Sequence, residues 1–361
     1  MKIVFVSKQK VLHAAGESIF MSNLEKCLSE KGLEFDICET AMAPSPRSFF
    51  ESVSTYSRIP DMFASYRKLR KIKDYDILHF LNSAECLAGL PKKGVKIATS
   101  HILGRSHYRF YQPRSAFEGA VESAYSLYSS LLDRAGMNSM DAVVTSSSYH
   151  ADDIHESCGV PRSKLKVIAP GVDVSYIKSL PKTDLKSKYD CDSIIVYIGR
   201  ILGFRKGLQY LINAMGKDAP YKLLVIGGGP DQPYFERLVK EKGLESKVIF
   251  LGFLNFREKT IIQKSADAVI IPSVSESFCM VFAESLACEV PVVAFDLPFW
   301  KPLYQGAGLF VQKDSLADGI SAILDDARLR KQVTSKGKDL VKDYDVKKTA
   351  SDYIKLYESF F

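Results

Sequence analysis

The chain has one tryptophan, six histidines and seven scattered cysteines. No two of Cys27, Cys38, Cys86, Cys158, Cys191, Cys279 and Cys288 form a Cys-x-x-Cys pair, and an odd, dispersed set argues against both a disulfide framework and a structural zinc site. These thiols are expected to be reduced and mostly packed, as in cytosolic proteins. Long apolar runs are also missing: nothing reaches the roughly 18 consecutive apolar residues of a membrane span. The opening Met1-Lys-Ile-Val-Phe-Val-Ser7 is too short an apolar run for a signal peptide. The expectation is a cytoplasmic protein that is neither exported nor anchored by a transmembrane helix. No internal repeat or low-complexity tract stands out.

What is present is ordinary globular composition, 46% hydrophobic and 25% charged over 361 residues, a length that points to two domains. The net charge of +7 suits an anionic ligand, an anionic membrane surface or nucleic acid without choosing among them. Short apolar runs at Lys2–Val6, Leu33–Cys38, Asp76–Leu81, Val95–Ser100 and Ala142–Ser146 alternate with helical stretches. After a polar pause through Asp192, the pattern restarts at Ile194–Ile198, Lys222–Ile226, Val248–Leu251, Ala268–Pro272 and Pro291–Phe295. Strands alternating with helices imply parallel sheets with crossovers, here two doubly wound Rossmann-like α/β domains. Ser335–Phe361 reads as an amphipathic helical end. Ligands in such sheets sit beyond the carboxyl ends of the strands, so the loops there hold the candidates.

Two segments carry chemistry. In Asp267–Cys288 a buried strand runs into a turn holding Glu276, then into a helix carrying Glu284 within an apolar run. A buried carboxylate needs partners, and Glu284 is read either as a ligand group or as a structural cap on a neighbouring loop. The start of that helix, at Phe278, Cys279, Met280 and Val281, offers backbone N–H groups to a phosphate. In Tyr197–Gly207, Arg200, Arg205 and Lys206 cluster after the first strand of the second domain, where an anionic ligand would sit.

The order Gly-Arg-x(5)-Lys-Gly207, Leu224-Val-Ile-Gly-Gly-Gly-Pro230, Phe250-Leu-Gly-Phe253 and Pro272-Ser followed by Glu-x(7)-Glu resembles glycosyltransferase family 4, retaining enzymes of the GT-B fold. Weaker matches are Val167–Asp173, Ala98–His101 and Gly16. The resemblance implies two domains facing a cleft, a nucleotide-sugar donor with UDP ahead of GDP, and no cofactor or metal. It implies that Arg200 and Lys206 neutralise the donor diphosphate, that Glu284 accepts from the ribose hydroxyls and that Glu276 contacts the donor sugar. Gly16 would let the N-terminal loop approach the phosphates, and His101 would face the sugar, its alternative being a satisfied loop histidine. The chain departs from the family pattern in three places. Glu276-Ser-Phe-Cys279 stands where the family has Glu-Gly-Phe-Gly. The loop before Lys206 is one residue longer, so Arg205 can share the lysine's role. Asp296–Pro302 replaces a Gly-rich Pro-Glu segment. Three Asp-x-Asp pairs, at Asp74, Asp190 and Asp343, are read as surface carboxylates.

On the acceptor side, Phe49 through Tyr66 is aromatic and is followed by Arg67, Lys68, Arg70, Lys71 and Lys73. A second aromatic stretch runs from Tyr108 to Leu132. Such sequences suit either an interfacial helix on anionic lipid or ordinary packing with a solvated basic face. The first reading makes the protein peripheral at the inner face of the membrane, with a glycolipid or lipid-linked acceptor. A nicotinamide-dependent oxidoreductase lacks its fingerprint glycines after Val6, and no nucleic-acid-binding module is recognisable. A GT-B-fold sugar-nucleotide epimerase and a degenerate sugar-nucleotide-binding scaffold remain as alternatives. The expected division is an acceptor-side domain over 1–175, a donor-binding domain over 190–340, and a C-terminal helix over 341–361 packing back on the first domain.

Overall fold

The computed structural model describes residues 1–7, 16–39, 65–81, 83–90, 93–100, 116–201 and 205–361. The chain divides into two compact units, Met1–Pro170 with Thr349–Phe361, and Gly171–Lys348. Each is built on one six-stranded parallel sheet. In the first, β1 (Lys2–Ser7), β2 (Glu34–Glu39), β3 (Ile77–Phe80), β4 (Val95–Ser100), β5 (Ala142–Thr145) and β6 (Leu165–Val167) lie in the order β2-β1-β3-β4-β5-β6. In the second, β7 (Ser193–Ile198), β8 (Tyr221–Ile226), β9 (Val248–Gly252), β10 (Ala268–Ile271), β11 (Val292–Phe295) and β12 (Leu309–Val311) lie in the order β12-β11-β10-β7-β8-β9.

The apolar runs become central strands because a parallel sheet is covered by helices on both faces. β3, β5, β10 and β11 are buried at every residue. β6 and β12 were not expected. Each is a three-residue edge strand with only partial burial, too short to show a period. The C-terminal stretch is not one helix: Ala327–Leu340 and Val346–Glu358 are separated by a 3-10 turn, Val341–Tyr344, and Asp345. Asp345 breaks the helix locally, since its carboxylate accepts from Lys347 N–H while its backbone bridges to Val172.

The last segment is held to the first unit by a buried polar chain. His79 on β3 bonds Tyr357 Oη through Nδ1 and Thr99 Oγ1 through Nε2, each at 2.7 Å, and Tyr353 Oη lies 3.1 Å from Thr99. His79 is fully buried. In that setting each partner is needed, because an unmet buried polar group costs about 1–3 kcal/mol. Among the described residues no helix is long and apolar enough to cross a membrane.

Candidate functional site

In the second unit, β7 lies between β8 and β10, so the connections from β7 and β10 leave in opposite directions along the sheet. This is the topological switch point, where the ends of two adjacent strands open a crevice. The loop after β7 carries Arg200, Arg205 and Lys206, and the loop after β10 carries Glu276. The two loops are stitched together by Val274 N–H donating to the Arg205 carbonyl at 2.9 Å.

Across that seam Lys206 Nζ meets Glu276 Oε1 at 2.5 Å. The Glu276 side chain is only 9% exposed and that of Lys206 24%. Burial pushes the Glu276 carboxyl up, but the charges of Lys206 and Arg205 and bonds from Lys206 and Ser273 outweigh it, leaving the carboxyl below the usual range. Burial holds the Arg205 guanidinium below its ordinary value, opposed by the Glu276 charge and reinforced by the neighbouring Arg200. Arg200 itself is exposed. Two cations, Lys206 and Arg205, thus act on one carboxylate, with Arg200 near Arg205, so the cluster carries a net positive charge for an anion.

The glycines of the motifs let these loops close. Gly207 has φ +73° and caps the Leu208–Ala214 helix. A Cβ there would fall on the Pro272 carbonyl at the end of β10, so only glycine allows the β7 and β10 loops to touch. Gly227 (φ +124°) and Gly229 pack in the same way against the Gly199 and Ile201 carbonyls. The triple glycine therefore packs one loop on another.

The Met280–Ala287 helix starts beside Glu276. Cys279 is its N-cap and has φ +64°, a left-handed conformation on a residue with a side chain. Phe282 N–H donates to the Cys279 carbonyl, so among the described residues the first-turn N–H groups without a backbone acceptor are those of Met280 and Val281. The Phe278 side chain is packed in the interior, whereas the contact expected of it was through the main chain. It is 2% exposed and packs edge-on against Tyr344 at 5.1 Å, so Phe278 contributes to the core. Asp296–Pro302 also builds core: Phe299 and Trp300 are buried, and Tyr304 stacks on Phe282 at 4.0 Å. The Tyr304 hydroxyl lies 3.5 Å from the Cys279 carbonyl, tying that packing to the helix start.

Glu284 lies one turn further on and is 1% exposed. Its Oε2 accepts from Lys259 Nζ at 2.6 Å, and Lys259 is 7% exposed. The sequence had given no sign of Lys259, since a lysine on a helix ordinarily reads as solvated. Phe253, the last residue of the Phe250-Leu-Gly-Phe253 motif, follows β9 and is 71% exposed beside Gly228. Gly16 is the first residue of the Gly16–Glu30 helix that follows β1. His101, the aromatic run before Tyr66 and residues 101–115 of the second aromatic stretch lie outside the described residues. Of the Asp-x-Asp pairs, Asp74 and Asp343 are exposed and paired with lysines, Asp76 accepts from Lys2 N–H, and Asp190 ends a helix at φ +48°. Among the described residues no cluster of three His, Cys, Asp or Glu is arranged to hold a metal.

Comparison with known proteins agrees with this layout. Residues 15–176 match the family described as Glycosyltransferase Family 4, and residues 183–340 match Glycosyl transferases group 1. The chain is 30% identical over 222 residues, 60% of its length, to the N-acetylgalactosamine-N,N'-diacetylbacillosaminyl-diphospho-undecaprenol 4-alpha-N-acetylgalactosaminyltransferase of Campylobacter jejuni. The match spans 59% of that relative's length. Sucrose-phosphate synthase from Thermosynechococcus elongatus superposes with a TM-score of 0.82 at 19% identity, covering 100% of this chain and 99% of the other. Anabaena HepE in complex with UDP-glucose superposes with a TM-score of 0.75 at 17% identity, covering 99% of this chain and 100% of the other.

Proposed function

The chain belongs to the family 4 glycosyltransferases and has the GT-B fold, and on that premise we propose that it transfers a hexosyl group from a nucleotide-sugar with retention of configuration. The nucleotide is UDP ahead of GDP, and the acceptor is a glycan, a lipid-linked sugar or a small molecule. The observation that carries this reading is the meeting of Lys206, Arg205 and Glu276 at the β7/β10 switch point, beside the open first turn of the Met280–Ala287 helix.

Departure of a nucleoside diphosphate builds negative charge on the leaving oxygen. In this proposal Lys206, with Arg205 and Arg200, meets that charge, and the Met280 and Val281 N–H groups hold the distal phosphate. Fixed cations in a half-buried site do the work that a metal does elsewhere. Glu276 has two tasks, holding Lys206 in place and accepting from the donor sugar's hydroxyls. With Lys206 on Oε1, Glu276 is a positioning group and not a covalent nucleophile. The glycosyl group passes through an oxocarbenium-like state. Glu284 receives the ribose hydroxyls, and the exposed Phe253 ring offers a flat face to the base.

UDP stands first because the HepE likeness includes a UDP-glucose complex. A lipid-linked acceptor is favoured by the diphospho-undecaprenol substrate in the Campylobacter relative's name. Docking on an anionic membrane belongs to the same proposal and rests on the exposed run Arg67, Lys68, Arg70, Lys71 and Lys73.

The test is a thermal-shift series with UDP, GDP, ADP and their sugar conjugates, with and without magnesium. A ligand that binds only the folded state raises the transition by mass action. Stabilisation by one nucleotide without metal is expected; no shift with any of them at millimolar concentration would overturn the donor-site reading and leave a degenerate scaffold.

A further inference from the structure

We infer that Lys259 is a positioning residue for donor recognition, acting through Glu284. The inference rests on the reading of Glu284 as the ribose acceptor and adds to it the group that aims that carboxylate.

Lys259 lies on the Phe256–Ser265 helix, whose start is set by a capping box between Asn255 and Glu258. Four residues on, and so on the same face, Gln263 is fully buried. Both side chains reach the Met280–Ala287 helix. Gln263 Nε2 donates to Ser285 Oγ at 2.8 Å and to the Val281 carbonyl at 3.2 Å, while Lys259 Nζ donates to Glu284 Oε2 at 2.6 Å. The Lys259 ammonium also sits 4.5 Å from the centre of the Phe256 ring. The pair is therefore buried, with the Lys259 ammonium held between the Glu284 carboxylate and the Phe256 ring.

Stability alone is a poor reason for such a pair. Replacing both members of a buried ion pair by apolar side chains of similar size is often neutral or stabilising, whereas removing one is costly. A helix-to-helix contact here is already supplied by Gln263. What the pair provides that leucine and methionine would not is a carboxylate in one fixed orientation on the helix whose start is proposed to hold the phosphates. With Oε2 engaged by Lys259, the rotation of the carboxylate is set and the remaining lone pairs are aimed before the ligand arrives. Preorganised acceptors of this kind distinguish a ligand with hydroxyls from one without them.

The experiment measures dissociation constants of UDP and 2′,3′-dideoxy-UDP, with the GDP pair in parallel, for the wild type, Glu284→Gln, Lys259→Met, Lys259→Gln and Lys259→Arg. Lys259→Gln keeps a donor without the charge and covers the case in which Lys259→Met does not fold. The wild type is expected to prefer the ribonucleotide by about tenfold or more, the worth of hydrogen bonds to a charged group. That preference should collapse in Glu284→Gln and in the neutral Lys259 variants, and persist in Lys259→Arg. A purely structural lysine would lower the melting temperature and weaken both ligands alike. An unchanged preference in the neutral Lys259 variants, with collapse in Glu284→Gln, overturns this inference and leaves the donor site standing. No collapse in Glu284→Gln overturns both, and collapse in the Lys259 variants alone overturns the route through Glu284.

Discussion

Cys279 caps the Met280–Ala287 helix at φ +64°, where a side chain is disfavoured, and the cost can be measured by a pair of substitutions. An L-residue in the left-handed region is raised by about 1–2 kcal/mol, which glycine does not incur. Glycine's greater freedom in the unfolded chain takes back about 0.5–1 kcal/mol. Cys279→Gly and Cys279→Ala both remove the sulfur, so its packing cancels between them. Glycine should therefore be the more stable by about 1 kcal/mol, in line with its preference over alanine at helix N-caps. For a unit the size of Gly171–Lys348 this is a gap of about 2–4 °C. The assay is convenient because Trp300 is the only tryptophan, is 1% exposed, and its ring centroid lies 5.4 Å from that of Phe282 on the affected helix. Its fluorescence reports on this unit's transition even if the two units melt separately. Equal melting of the two variants, or greater stability of alanine, would refute the argument that the N-cap conformation is strained.

Glu276→Ala and Lys206→Ala should each lower turnover by about tenfold or more, as loss of a charge-stabilising group does, without unfolding the chain. Near-normal turnover in both would remove the site assignment. Because the folded-state Glu276 carboxyl is held below the usual range, its pairing contributes stability above that range, lost as pH falls through the lowered value. Denaturation of wild type and Glu276→Gln across acidic pH should therefore show a gap that is constant at neutral pH and closes only below the usual carboxylate range. A gap closing at higher pH would contradict this electrostatic account. Gly207→Ala places a methyl group on the Pro272 carbonyl at a positive φ, and should destabilise the second unit by about 2 kcal/mol or more while weakening nucleotide binding. An unchanged melt would show that the β7 and β10 loops need not touch.

Ten of the twelve strands among the described residues could be read as apolar runs because a parallel sheet is covered on both faces, so burial leaves continuous stretches such as Ile194–Ile198 and Val292–Phe295. β6 and β12 were not readable: three half-exposed residues at a sheet edge carry no period, and only their pairing with β5 and β11 makes them strands. The break at Asp345 depends in part on a backbone bridge to Val172, a partner far away in sequence.

Residue identity and order alone determined that this chain alternates strand and helix, has no apolar run long enough to span a membrane, and carries basic and acidic groups after particular strands. Those are local properties, set by periodicity and by what each side chain can ionise or bond. Tertiary structure decided which of these groups meet. Sheet order brought β7 beside β10 and so put Lys206 on Glu276, residues 70 positions apart. It also turned Phe278 into core and buried Lys259 against Glu284. Burial and pairing depend on what another part of the chain presents to the same point in space, and no window of sequence contains both.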